Sequence, residues 1–186
     1  MLAVHRRAAE FTVVVVNAWR DGELDVSWVE ALADWEPLPI RHSRRSSEHE
    51  DRALTEALRR LASDLAPVFG ATDLAGAAGS LNPLLADLDV QVSVSITSEW
   101  PPHLHFDAYA SDVGDRLRVN CLLAIASVLA DPAEVMRIGE CAAPSCAHVY
   151  VDHTRSARQR FCSRRCATRR HVSEHRRRAA HPGEHA

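Results

Sequence analysis

The sequence has no lysine: all 22 basic residues among its 186 are arginine. This bias is typical of an alanine- and arginine-rich coding composition, so the number of arginines says little about function. Their positions along the chain are more informative. A run of about 18–20 apolar residues, which a bilayer-spanning helix needs, is also missing, and its absence excludes a membrane-spanning protein. The remaining proportions, 46% apolar and 25% charged residues, are those of a folded globular chain.

Other common signals are absent as well. The chain has no Gly-rich phosphate loop, no internal repeat and no low-complexity tract, which removes the sequence signs of a P-loop nucleotide site and of a repeat architecture. The N-terminal residues do not have the pattern of a secretion signal, because Glu10 precedes the short valine run and no small-residue cleavage site follows it. We therefore expect a cytoplasmic protein, in which closely spaced cysteines bind metal more often than they form disulfides.

The charges are divided unevenly along the chain. Residues 1–136 contain 11 arginines against 21 acidic residues, a net charge of −10, whereas residues 137–186 contain 11 arginines against four acidic residues, a net charge of +7. The total of −3 conceals this polarity. A length of 186 residues accommodates one domain and a small module, so we predict an acidic domain over residues 1–136 and a basic module over residues 137–182.

Hydrophobic periodicity predicts that the acidic part is mainly helical with one small β-hairpin packed on the helices. The expected helices are residues 8–20, 25–37, 49–69 and 113–130, and the expected strands are residues 90–97 and 104–110. Ser47 and Glu50 have the form of a capping box at the start of the third helix, and Cys121 is expected in the core. Gly76, Gly79 and Pro83 predict short helical turns instead of a continuous helix. The predicted fold class is α+β, mainly helical, with a small hairpin-plus-helix module at the C-terminal end.

Four of the five cysteines lie within this basic module, at positions 141, 146, 162 and 166. The spacing C-x4-C, fifteen residues, C-x3-C can place Cys141, Cys146, Cys162 and Cys166 at the corners of a tetrahedron around Zn²⁺. Four thiolates close the coordination sphere and leave no position for an activated water, so the metal is expected to be structural. The alternatives are buried free cysteines, disulfides, or a Cys3His site; the nearby histidines are His148, His153, His171 and His175.

A basic helix is predicted directly after the second cysteine pair. Eight arginines lie between Arg160 and Ala180, opposed by the single acid Glu174; the eight are Arg160, Arg164, Arg165, Arg169, Arg170, Arg176, Arg177 and Arg178. They point in almost every direction around a helix, so this helix cannot bury a face in a core. It is either a solvated tail or a DNA-binding element that enters the major groove of double-stranded DNA. RNA is a weaker choice, because the segment lacks interleaved aromatic residues for stacking on bases.

The segment CAAPSCAHVYVDHTRSARQRFCSRRCATRRHVSEHRRR resembles the CGNR zinc finger. Its matching parts are the cysteine pair, Tyr150-Val151-Asp152, Arg160-Phe161-Cys162-Ser163 and Arg169, whereas Ala167-Thr168 stand where that family has Gly-Asn. The segment FTVVVVNAWRDGELDVSWVEALADW, with Asn17 and Arg20, more loosely resembles the start of the ABATE domain that usually precedes this finger. The resemblance implies a bacterial transcription regulator, with no settled ligand for its N-terminal part.

Three classes of function follow from these patterns. The first is a zinc-finger transcription regulator that binds double-stranded DNA, forms a homodimer and senses a small-molecule effector of unknown identity through its acidic part. The second is a zinc-stabilised protein-interaction module, whose basic helix docks on an acidic partner or on the chain's own acidic domain. An enzyme is the least supported class: His103 and His105 share one side of a predicted strand, but alternating strand positions are more often an exposed face. We expect no catalytic residues.

Overall fold

Three helices pack against one another at the centre of the described residues, a further helix packs against two of them, and the strands form two antiparallel hairpins. This computed structural model describes residues 3–31, 47–96, 102–108, 112–130 and 135–180. Within them the helices are α1 (Ala3–Asp21), α2 (Val26–Ala31), α3 (Glu48–Gly70), α4 (Leu74–Ala86), α5 (Val113–Leu129) and α6 (Arg164–Ala180). The strands are β1 (Val90–Ser95), β2 (His103–Ala108), β3 (Ile138–Glu140) and β4 (Val149–Val151). The predicted α+β, mainly helical class is confirmed.

The hydrophobic core lies between α1, α3 and α5, which pack against one another. The apolar stripe predicted along α3 is buried throughout, at Leu54, Leu58, Leu61, Leu65 and Val68. Phe11 of α1 and Cys121 of α5 are each 1% exposed, which confirms Cys121 as a core residue. Each large aliphatic side chain buried in this way stabilises the fold by about 1.5–3 kcal/mol relative to an exposed one, so the contacts among these three helices hold the body together.

Local capping fixes where the long helices begin. The Ser47 Oγ accepts a hydrogen bond from the Glu50 amide at 3.3 Å, and the Glu50 carboxylate accepts one from the Ser47 amide at 2.7 Å, so the predicted capping box is confirmed. The Asp112 carboxylate caps α5 by accepting from the Asp115 amide at 2.9 Å. The helix predicted over residues 25–37 is present as α2, and residues 32–37 lie outside the described residues.

The prediction of broken helical turns around residues 71–89 is wrong. Leu74–Ala86 is one continuous helix that contains Gly76, Gly79 and Pro83. Asp73 caps it by accepting from the Gly76 amide at 2.8 Å, and Leu81 is buried against the core. Packing against α3 and α5 therefore outweighs the weak helix propensity of glycine and proline.

The hairpin of β1 and β2 forms as predicted but is less covered than predicted. The strands pair antiparallel, with Val92 opposite Phe106 and Val94 opposite Leu104. Among the described helices, α5 contacts β2, and β1 is the outer strand with extensive contacts only to β2. The Val92 and Val94 side chains are 55% and 65% exposed, so packing on the helices is limited to the β2 side.

The second hairpin, β3 with β4, is joined to the body. Ile138, Val149 and Val151 belong to the same buried cluster as the core residues of α1, α3 and α5. The boundary predicted between residues 136 and 137 lies just before β3. Buried residues on both sides of this boundary belong to the same hydrophobic core. The division into two domains stays a prediction. None of the described helices combines the length and hydropathy needed to cross a bilayer.

Candidate metal centre

The first cysteine pair lies in a tight turn between β3 and β4. Cys141 follows directly after β3, and its amide donates to the His148 carbonyl at 2.8 Å. The Cys146 amide donates to the Ala143 carbonyl at 3.2 Å, and Ser145 has a φ of +60°, the left-handed conformation that reverses the chain. The turn therefore directs two thiols to one side of the hairpin.

The second cysteine pair lies at the start of α6. The Ser163 Oγ accepts from the Cys166 amide at 3.3 Å, so Ser163 caps the helix. Cys166 is four residues after Cys162 and comes to the same side of the helix start. The Ala142 amide donates to the Arg160 carbonyl at 2.8 Å, which ties the approach to α6 against the first turn. Two local structures thus meet with four thiols between them.

The four sulfur atoms have the spacing of a tetrahedral zinc site. The Sγ atoms of Cys146, Cys162 and Cys166 are separated by 3.7, 3.6 and 3.7 Å, and all four Sγ atoms, including that of Cys141, lie within 4.8 Å of one another. A Zn–S bond of about 2.3 Å gives a tetrahedron with edges of about 3.8 Å. The observed separations fit that figure. All five cysteines, each within the described residues, are free thiols, which argues against the disulfide alternative.

The nearby histidines do not join this group. The His148 Nδ1 is 3.9 Å from the Cys162 Sγ, and its Nε2 bonds the Asp21 carboxylate at 2.8 Å. The His153 Nε2 is 3.8 Å from the Glu10 carboxylate, and His171 is exposed on α6. The His175 side chain lies outside the described atoms. Among the described residues the metal-ligating group is made of cysteines alone, so the geometry supports four thiolates over the Cys3His alternative.

The thiols occupy unequal electrostatic environments. Burial is the main cause that raises the pKa of Cys146 and of Cys162. A hydrogen bond with Ser163, followed by contacts with the other thiols, lowers the pKa of Cys166 to about 6. Ligation requires thiolates, so a zinc ion that enters this site displaces protons from it.

Residues 137–179 match the CGNR zinc finger family. The match spans both cysteine pairs, the β3–β4 hairpin and most of α6, and it confirms the resemblance drawn from the cysteine spacing and the Tyr150-Val151-Asp152 segment. It covers none of the first five helices, so the resemblance of residues near Asn17 to an ABATE domain stays a prediction. No curated protein matches the chain. We call residues 137–180 the finger.

Two donors contact the thiols from outside the ligand set. The Cys162 amide donates to the Cys141 Sγ at 3.4 Å, and the Arg169 Nη2 donates to the Cys166 Sγ at 3.3 Å. Such donors hold ligands in position and offset the charge of a tetrathiolate site. Arg169, which the sequence predicts to bind DNA, therefore also contacts the metal centre through its guanidinium.

Asp152 organises the loop between β4 and α6. Its side chain is buried, with Oδ1 accepting from the Thr154 amide at 2.7 Å and from the Thr154 hydroxyl at 2.6 Å, and with Oδ2 accepting from the Gln159 amide at 2.7 Å. Burial by itself would raise the pKa of Asp152, but these hydrogen bonds outweigh it and lower the pKa. Asp152 is part of the CGNR sequence pattern, and these contacts show that it holds the loop in place.

Three polar residues on one face of α1 fasten the finger to the body, and we call them the α1 clamp: Asn17, Arg20 and Asp21. The Asn17 side chain accepts from the Val149 amide at 2.7 Å and donates to the Val149 carbonyl at 3.2 Å. Arg20 pairs with the Glu140 carboxylate at 2.7 Å and donates to the Ala147 carbonyl, and Asp21 bonds His148. Sequence reasoning missed this role, although the spacing of 17, 20 and 21 places all three on one helical face.

The arginines of the finger lie mostly on an open surface. Arg160 precedes α6 and is exposed, Arg164, Arg165, Arg169 and Arg176 are exposed on α6, and Arg170 is half-buried. The backbones of Arg177 and Arg178 belong to α6, and their side chains lie outside the described atoms. Within the described residues α6 makes no extensive contact with another helix or strand. The cysteine cluster therefore holds α6 at its first turn and leaves the rest of the helix open.

Proposed function

We propose that the chain is a bacterial, cytoplasmic transcription regulator whose finger binds double-stranded DNA through α6. The observation that carries this proposal is the open, arginine-rich helix whose start is fixed by a four-cysteine zinc site. Zinc supplies structure and not chemistry here, because four thiolates leave no coordination position for water. The proposal assigns the chain no catalytic step.

The charge of α6 suits a polyanion. Its 17 residues contain seven arginines and one acid, Glu174. At 100° per residue, Arg165, Arg169 and Arg176 fall within about 40° of one another and form a stripe along the helix. Arginines in such a stripe neutralise phosphates and bond guanine edges in the major groove, and the positive end of the helix dipole lies beside Arg164 and Arg165.

The orientation of the finger follows from the α1 clamp. An acidic body with a net charge of −10 over residues 1–136 repels DNA, so the finger must present α6 away from it. Asn17 and Arg20 hold β4 and the cysteine turn against α1, and α1 is part of the core of the body. In this proposal a small-molecule effector bound to the body acts on DNA affinity through that clamp.

The decisive test is selection of DNA from a random pool with zinc-loaded protein, repeated with a zinc chelator. We expect an enriched motif that disappears with the chelator. Binding measured by fluorescence anisotropy should weaken with salt at a log–log slope of about −0.9 per phosphate neutralised, and Arg165→Ala should reduce that slope by about 1. Arg52→Ala is the matched control, because Arg52 is an exposed arginine of α3 paired with Glu48. No enriched motif together with salt-independent binding contradicts the proposal.

A second candidate is a protein-interaction module. It is favoured by Ala167-Thr168, which replace the Gly-Asn of the CGNR pattern at the start of the basic helix. In this alternative α6 binds an acidic partner protein. In a second version of this alternative, α6 binds the chain's own acidic domain. Absence of a DNA motif together with capture of acidic peptides would favour the second candidate.

A further inference from the structure

The β1–β2 hairpin carries an apolar face that is largely exposed at its β1 side and at Leu104, whereas Phe106 is half-buried. Val92 and Val94 alternate on β1, with Leu104 and Phe106 opposite them on β2. Their exposures are 55% for Val92, 65% for Val94 and 48% for Leu104, and Ile96 after β1 is 78% exposed. The intervening positions of β1, Gln91, Ser93 and Ser95, form the polar face. The exposed apolar side chains amount to on the order of 400 Å², the size of patch on a monomer that is often functional.

An apolar hairpin that extends from the body is marginal when isolated. Its outer strand has extensive contacts only with β2 among the described elements, so neither burial nor a third strand supports it. β-Branched residues on a strand favour packing against another surface. Four of the six exposed large hydrophobic residues in the described part of the chain lie on or directly after these strands, so a covering partner would stabilise the hairpin.

The charge distribution favours a second copy of the chain as that partner. The acidic domain, with a net charge of −10 over residues 1–136, repels another copy of itself. By contrast, β1 contains no charged residue, and Asp107, the acidic residue of β2, is paired in register with Gln91 and not with Val92 or Val94. Two hairpins can therefore approach each other through the face of Val92 and Val94 without acidic strand residues between them. Their aliphatic faces are also complementary to themselves under a two-fold axis, as an isologous dimer interface requires.

We propose that the chain forms a homodimer in which the apolar hairpin faces of two copies stack on each other. Stacked sheets pack about 10 Å apart with interdigitating side chains, which places Val92, Val94 and Leu104 of each copy in the centre of the interface. A typical interface buries about 800 Å² per partner, and the hairpin face supplies about half of that as its apolar core. The polar strand ends form the rim. The inference does not depend on DNA binding.

The test is the mass of the full-length, zinc-loaded protein in sedimentation equilibrium, measured from low micromolar to several hundred micromolar without DNA. The monomer mass is 20.6 kDa, and we expect twice that value at the upper concentrations. Val94→Lys should raise the dimer dissociation constant at least about 100-fold, because it buries an unpaired charge in the interface. Val94→Ala should raise it about tenfold. The matched control is Ser93→Lys, which places the same charge on the other face of the same strand and should leave dimerisation unchanged.

Far-UV circular dichroism and zinc content verify that each variant is folded, and the milder Val94→Ala keeps the test decisive when Val94→Lys does not fold. A wild-type chain that is monomeric at every concentration overturns the proposal. So does a dimer that persists in Val94→Lys, because its interface then lies elsewhere. Equal effects of Val94→Lys and Ser93→Lys would also overturn it, since they would assign the contact to the strand edge or to overall charge and not to the apolar face.

Discussion

Replacing Asn17 by alanine should destabilise the protein although the change lies far from the cysteines in sequence. The Asn17 side chain accepts a hydrogen bond from the Val149 amide at 2.7 Å and donates one to the Val149 carbonyl at 3.2 Å. Val149 is 0% exposed. The substitution leaves a buried amide and a buried carbonyl without these partners. Each orphaned group costs about 1–3 kcal/mol, so we expect the free energy of unfolding to fall by about 2–6 kcal/mol.

Urea denaturation with zinc in excess measures this loss directly. The same destabilisation should lower the Tm by several degrees, since each kcal/mol shifts a chain of about 150–250 residues by about 2–4 °C. Asn17→Asp provides a graded comparison: it keeps an acceptor for the Val149 amide but directs a negative charge at the Val149 carbonyl, so it should also destabilise.

The matched control is Val14→Ala on the same helix, where the side chain is 39% exposed. Its effect should stay within about 0.5 kcal/mol, as for ordinary surface positions. Zinc release is a second measurement, which reports the effect of the α1 clamp on the metal site apart from overall stability. Asn17→Ala should speed the transfer of zinc to a chelator, because β4, which Asn17 holds, directly follows the turn that contains Cys146. An unfolding free energy for Asn17→Ala within about 0.5 kcal/mol of the wild type would refute the reasoning.

Three further predictions concern the finger itself. Cys166→Ser should abolish the binding of one zinc ion per chain, measured by metal analysis after dialysis, whereas Cys121→Ala should retain it; equal zinc content in both would contradict the assignment. Asp152→Asn should lower the free energy of unfolding by about 1–3 kcal/mol, because an amide donor then faces the loop amides. The folded-state pKa of Asp152 is lowered, so the carboxylate stabilises the fold above its unfolded pKa of about 3.9. This stabilisation is lost as the pH falls through the folded-state pKa. Urea denaturation of Asp152→Asn across this pH range should not show that loss. Arg169→Ala should accelerate zinc release to a chelator and Arg165→Ala should not; equal rates would remove the role of Arg169 at the metal centre.

The features that could be predicted well from the sequence are those that depend on short sequence patterns. Cysteine spacing identified the zinc ligands, and the Ser47–Glu50 pair fixed the start of α3, because both depend on contacts between residues close in sequence. The α4 helix was missed because Gly79 and Pro83 disfavour a helix locally, and only packing against α3 and α5 overrides them. The clamp was missed for a related reason: Asn17 and Val149 are 132 positions apart, and no local pattern records such a contact.

The shared core has a consequence for how the chain is assembled during synthesis. Helix α1 is synthesised before β3 and β4, yet its Asn17 face and the core positions of Ile138, Val149 and Val151 are filled only when residues 138–151 arrive. Closing so long a loop is entropically costly and slow, and a zinc ion that gathers the four cysteines shortens the search by presenting β3 and β4 as a preformed hairpin. We therefore expect metal supply to affect completion of the body as well as the finger, and a chain made without zinc to expose apolar surface of its main core.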